Sequence, residues 1–154
     1  FRDRDGHEHS ILEPEEIRVL SIRKGSLSEE ERLEIESHVT HTWQFLKQIP
    51  WTRELRQIPG IAYGHHEKLN GQGYPRRIPG EAIAIQSKIM TVSDIFDALS
   101  AADRPYKKAV PVEKALDILQ FEVKDGFLDP HLVNLFIEAK VFEKTAALRA
   151  GARL

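Results

Sequence analysis

Apolar residues recur along this chain with the three- and four-residue spacing of helices, and proline and glycine punctuate the pattern. Glu13-Pro14-Glu15-Glu16 puts proline and acids where a first helical turn tolerates a missing N–H and favours negative charge. A short helix is expected there, ending near Ile22, before Lys24-Gly25. Ser26 or Ser28 then caps a long helix that has Glu29, Glu30 and Glu31 in its first turn. Leu33, Ile35, Val39, Trp43, Leu46 and Ile49 form its apolar stripe, and Pro50 stops it. Residues 51–57 read as a short helix broken before Pro59, and residues 61–67 as another. Residues 68–79 hold Gly71, Gly73, Pro75 and Pro79 and read as a loop. A long helix follows Gly80, with Ile83, Ile85, Ile89, Val92, Ile95, Phe96 and Leu99 turned mostly inward, and ends near Arg104-Pro105. Pro111 opens the next, with Val112, Ala115, Leu116 and Leu119 inward, which stops near Gly126. Asp129-Pro130 caps the last, carrying Leu132, Leu135, Phe136, Ile137 and Val141.

No pair of alternating strands joined by a hairpin turn interrupts this series. The pattern predicts an all-α fold of antiparallel helices. Residues 1–10 read as a linker or disordered lead-in, 11–143 as the helical domain, and 144–154 as a tail of helical composition.

Composition narrows the chemistry. The chain has 154 residues, enough for one domain. Its 22 Lys and Arg against 24 Asp and Glu give a net charge of −2, which excludes strong non-specific attraction to nucleic acid or an anionic membrane. There is no cysteine, so disulfides, thiolate zinc sites, iron–sulfur clusters and a Cys nucleophile are excluded. Any metal must be held by His, Asp, Glu or water. No apolar run is long enough to cross a bilayer, and no cleavable export segment stands at the start. A cytoplasmic location is therefore expected. The chain opens with Phe1 rather than Met, and the expectation is a piece of a longer protein.

The seven histidines are unevenly placed. His65 and His66 are adjacent, just before the glycine loop; His38 and His41 lie three apart on the long helix. Neighbouring helical side chains diverge by about 100°. Adjacent histidines therefore suit two ions held about 3.5–4 Å apart better than one shared ion. The alternative is a polar helix end meeting a loop. His38 and His41 also read as the polar flank of an amphipathic helix, His41 as structural; His7, His9 and His131 carry no functional reading. Asp94 and Asp97 lie three apart in an apolar stretch. Burying an unpaired carboxylate is costly, so both are expected to meet a metal or a cation, with Asp94 facing a buried site. A salt bridge to Lys or Arg is the alternative. Asn70-Gly71-Gln72-Gly73-Tyr74-Pro75 can bring backbone N–H groups close to a phosphate, or be a plain turn. In Asp103-Arg104-Pro105-Tyr106-Lys107-Lys108, Arg104 offers a fork and Lys107 a point charge for phosphate; a solvated helix end is the alternative.

His65-His66-Glu67-Lys68-Leu69-Asn70-Gly71-Gln72-Gly73-Tyr74-Pro75 resembles the signature HHE-x-x-(D/N)-G-x-G-Y-P of HD-GYP domains. The stretch from Lys88 through Asp94, Asp97 and Leu99 to Arg104-Pro105-Tyr106-Lys107 is similar to that family's next block. The helix bearing Glu30, Glu31 and His38 is similar to the block before. The resemblance covers about residues 11 to 143. It implies an all-helical bundle of the HD type that hydrolyses cyclic di-GMP to pGpG or GMP with two or three metal ions, iron or manganese, with zinc or nickel also compatible with a cysteine-free site. The implied metal ligands are His38, His65, His66 and Asp94. Gly73, Tyr74 and Pro75, with Arg104 and Lys107, would meet guanine or phosphate, and Asp97 would orient a cation or a ligand. The implied partners are a cyclic dinucleotide, an upstream sensory or receiver domain, other signalling domains and a second copy of the chain.

One departure stands out: no His-Asp dipeptide occurs in the sequence, although that pair bridges the metals in the family. Two expectations follow. Either the pair precedes Phe1 and this piece is inactive alone, or the domain is a degenerate, non-catalytic module that binds a nucleotide or a signalling partner.

Overall fold

The computed structural model of the chain describes residues 1–2, 4–7, 10–21, 27–101 and 109–144, and of Glu15 and Val19 the backbone only. Every regular element among them is a helix: α1 (Pro14–Leu20), α2 (Glu29–Leu46), α3 (Ile58–Tyr63), a 3₁₀ turn (Gly80–Ala82), α4 (Ile85–Ser100), α5 (Val112–Lys124) and α6 (Pro130–Glu138). The all-α expectation holds. The chain divides into two compact units, Phe1–His38 and Val39–Leu154, and the division falls inside the unbroken helix α2.

In the first unit, α2 begins with a reciprocal cap. The Ser28 hydroxyl accepts from the Glu31 N–H at 3.2 Å, and the Glu31 carboxylate accepts from the Ser28 N–H at 2.7 Å. Two donors that a helix start would leave unpaired are thus satisfied. Arg18 of α1 meets Glu30 at 3.3 Å. The Glu30 carboxyl is held below its ordinary range by hydrogen bonding at its own backbone first and by Arg18 next. Both side chains are exposed, so this pair adds little stability. The expected stripe on α2 is only partly covered. Leu33 and Ile35 are 64% and 52% exposed, whereas Val39 is fully buried and Trp43 and Leu46 are half-buried.

In the second unit, α4, α5 and α6 pack on one another, and α3 packs on α4. Val92, Phe96, Ala115, Leu119, Leu128, Val133 and Phe136 form the core, with Ile95, Leu99 and Leu116 against it. Ile85, Ile89 and Val112, read as inward from spacing, are exposed, because the covered stripe on each helix is narrower than its apolar pattern. Asp129 caps α6 as expected, its carboxylate accepting from the N–H groups of His131 and Leu132.

Several boundaries differ from the sequence expectation. Pro59 sits in the first turn of α3, where its missing N–H costs nothing. The helix there opens at Ile58 instead of breaking, residues 53–57 form turns, and α3 ends at Tyr63 rather than running on to Glu67. Helix α4 starts later than expected, after the 3₁₀ turn, and ends at Ser100 with Ala101 extended.

Candidate metal centre

The early end of α3 decides how the histidines meet. Gly64, His65 and His66 lie in a turn, not a helix, so the divergence expected of adjacent helical side chains does not apply. The His65 and His66 rings lie 4.0 Å apart, tilted by 40°. His65 is buried, and its Nδ1 sits 2.6 Å from the Ala62 carbonyl. Its own carbonyl accepts from the Thr91 hydroxyl of α4 at 2.6 Å. On α2, Nδ1 of His38 sits 2.6 Å from the Ile35 carbonyl. A carbonyl can only accept, so Nδ1 is the donor in both contacts, the arrangement in which second-sphere carbonyls orient metal-binding imidazoles through the nitrogen that does not ligate.

His38, His65 and His66 each offer one ligand atom, and these atoms all lie within 4.8 Å of one another. The donor chemistry fits a borderline divalent metal: neutral imidazoles, with no thiolate in the chain.

The loop that follows is wrapped tightly onto this turn. The Tyr74 N–H donates to the His66 carbonyl at 3.1 Å, and the Tyr74 ring stacks on the His66 ring at 4.7 Å. A Cβ on Gly73 would lie 2.3 Å from the Lys68 nitrogen and 2.5 Å from the His66 oxygen, so only glycine fits. Gly71 adopts a left-handed φ of 75°. The Tyr74–Pro75 peptide is cis. Several of the backbone donors that a phosphate cradle would use are engaged within the protein. The N–H groups of Gly71, Gln72, Tyr74, Arg76 and Ile78 all donate within the protein. Gly73 serves close packing and Gly71 a left-handed turn, while Tyr74 and Pro75 are half-buried.

On the other side of the turn, Trp43 of α2 stacks on Tyr63 of α3 at 4.8 Å. Lys47 lies over the Trp43 ring at 4.2 Å and Arg76 over the Tyr63 ring at 5.4 Å, so each ring of the stacked pair also meets a cation.

Asp94 and Asp97 are both exposed, contrary to the expectation that Asp94 faces a buried site. Asp94 is not within the histidine cluster. Helical spacing nevertheless puts it on one stripe with Ser87 and Thr91, one turn beyond the hydroxyl that holds the His65 carbonyl. Arg104 and Lys107 lie outside the described residues. His41 is exposed on α2 and lies outside the cluster.

Sequence reasoning missed three side chains that hold this arrangement. Glu67 is buried, and its carboxylate accepts from the Arg76 N–H at 2.7 Å and the Ile78 N–H at 3.2 Å. Ser87 and Thr91, also buried, donate to the Ile61 and His65 carbonyls. Two hydroxyl residues four apart on an otherwise apolar helix were the available signal.

The regular elements among the described residues are helices, and three histidines that could hold a metal ion lie beside a glycine–tyrosine–proline loop. The chain belongs to the HD-domain family, whose sequence profile, described as "HD domain", matches residues 7–132. Among curated proteins it is similar to the "3'3'-cGAMP-specific phosphodiesterase 3" of Vibrio cholerae, 42% identical over 98 residues, which are 64% of this chain and 20% of that protein. It is similar also to the "Cyclic di-GMP phosphodiesterase response regulator RpfG" of Xanthomonas campestris pv. campestris, 33% identical over 119 residues, 77% of this chain and 31% of that protein. A "Cyclic di-GMP phosphodiesterase" of Thermotoga maritima is 30% identical over 118 residues, 76% of this chain and 31% of that protein. The chain spans about a fifth to a third of the length of these relatives. No helix among the described residues is long and apolar enough to cross a membrane.

Proposed function

We propose that this chain contributes the three-histidine side of a metal-dependent phosphodiesterase centre that hydrolyses a cyclic dinucleotide, cyclic di-GMP or 3'3'-cGAMP, in bacterial second-messenger signalling. The observation that carries this reading is the meeting of His38, His65 and His66 within 4.8 Å, beside a Tyr74 ring stacked on His66. The activities named for the relatives supply the substrate class.

His38, His65 and His66 would hold the metal, with Asp94 as the fourth protein ligand reaching from the stripe it shares with Thr91. The family resemblance points to iron or manganese, and zinc or nickel also matches these donors. When bound, such ions polarise the phosphate and lower the pKa of bound water towards neutrality. The chain's own residues do the rest. Tyr74, in the turn with Gly73 and Pro75, offers a ring face for a base, Arg104 and Lys107 neutralise the non-bridging phosphate oxygens, and Asp97 orients one of these cations. The carbonyls of Ala62 and Ile35 hold the His65 and His38 rings through Nδ1 and so orient them.

A second reading has its own observation. The sequence contains no His-Asp dipeptide. If no residue elsewhere in the protein supplies that pair, the domain is a non-catalytic module that binds a nucleotide or a signalling partner. One experiment separates them: assay the intact protein for bound iron and manganese and for turnover of cyclic di-GMP and 3'3'-cGAMP. Metal together with turnover supports the enzyme. Metal without turnover of either dinucleotide supports the module. Neither metal nor turnover removes both the centre and the activity.

A further inference from the structure

Glu67 is 2% exposed. A carboxylate there is costly unless its charge is held by donors. Both oxygens are held, and by the same short segment. Oε1 takes the Arg76 N–H at 2.7 Å and Oε2 takes the Ile78 N–H at 3.2 Å. These amides belong to the limb of the loop that leaves Pro75. The limb that arrives at Tyr74 is fixed to the same place by the Tyr74 N–H on the His66 carbonyl and by the close approach of Gly73 to the Glu67 and Lys68 backbone. Glu67 is the next residue in the chain after His66. One carboxylate therefore ties the far limb of the loop to the histidine turn, with Tyr74 and Pro75 spanning the gap between two anchors.

The surroundings point the same way. The Arg76 side chain stands off at 3.8 Å from the Glu67 carboxylate and leans over the Tyr63 ring, so the short, well-directed bonds are those to the backbone. Across the small cavity on the other side of Glu67, Lys88 is paired with Asp129 at 3.8 Å.

We infer that Glu67 is a positioning residue: its carboxylate clamps the two amides that follow Pro75 and so fixes the Tyr74 ring against His66 for binding the base of the dinucleotide. The consequence for substrate rests on the phosphodiesterase reading; the clamp does not.

The test uses the intact protein carrying Glu67→Gln, which keeps the volume but replaces one acceptor with an NH₂ group facing an N–H. Hydrogen exchange at the Arg76 and Ile78 amides is expected to quicken about tenfold or more. KM for the dinucleotide is expected to rise about tenfold with kcat changed by less than about threefold, the signature of lost binding rather than lost chemistry. Bound metal is expected to stay as in the parent, since His65 and His66 keep their own contacts. Arg76→Ala removes the guanidinium but keeps the amide, and is expected to leave exchange at Ile78 and KM within about twofold. Unchanged exchange at both amides in Glu67→Gln overturns the inference. So does loss of metal and kcat at constant KM, or an Arg76→Ala variant that reproduces the Glu67→Gln effects. Exchange and metal content need no turnover. A parent protein that hydrolyses no cyclic dinucleotide would thus refute the enzyme reading while the clamp is still judged by exchange.

Discussion

Helix α4 borders two regions held together in different ways. Val92 and Phe96 enter a core with Ala115, Leu119, Leu128, Val133 and Phe136, where every contact is apolar volume. Ser87 and Thr91 face α3 and the turn after it, the Ser87 hydroxyl bonded to the Ile61 carbonyl and the Thr91 hydroxyl to the His65 carbonyl, within reach of the Ser87 carbonyl in its own helix as well. Apolar packing is non-directional and tolerates exchanges of similar volume; a buried polar contact is lost outright when its partner is removed. The core should therefore set how stable the unit is, and the polar turn should set whether the histidines meet. Damage to the two should separate stability from metal binding.

The largest stability loss is expected from Leu119→Ala, since Leu119 is fully buried. Urea unfolding should show a cost of about 2–5 kcal/mol, with metal affinity unchanged in the folded fraction. Gly73→Ala comes next. Its Cβ would meet backbone at 2.3–2.5 Å, so the loop must shift. About 1–3 kcal/mol is expected, together with weaker metal binding, because His66 lies under the displaced segment. Thr91→Val leaves the His65 carbonyl without the hydroxyl that now donates to it. It should cost about 1–3 kcal/mol and, unlike Leu119→Ala, weaken metal about tenfold. Equal metal affinity in Thr91→Val and Leu119→Ala would erase the distinction between the regions. Ser28→Ala, which opens the cap of α2, is the smallest, at about 0.5–2 kcal/mol by thermal or urea unfolding.

What the sequence disclosed follows the same division. Helices α5 and α6 were legible because their boundaries rest on local signals, Pro111, Gly126 and Asp129-Pro130, that act within a turn of themselves. The extent of α3 was not, because proline breaks a helix from inside and opens one from its first turn. Which of these Pro59 does depends on where the chain goes next. The histidines were legible as types and spacing, but their approach depends on α3 ending at Tyr63. Glu67 was invisible: a glutamate in a polar string gives no sign that it will be buried under two amides from the far side of a loop. The glycines were read for what they bind, whereas Gly73 is required by what it lies against.

The most direct measurement is a calorimetric titration of the metal-stripped intact protein with Mn²⁺, repeated on His38→Ala, His65→Ala and His66→Ala. If the three side chains share one ion, each variant should weaken the same site by no less than the roughly 10–100-fold that losing an outer partner costs. A His38→Ala protein that binds Mn²⁺ as tightly as the parent, while the other two variants do not, would contradict the shared centre.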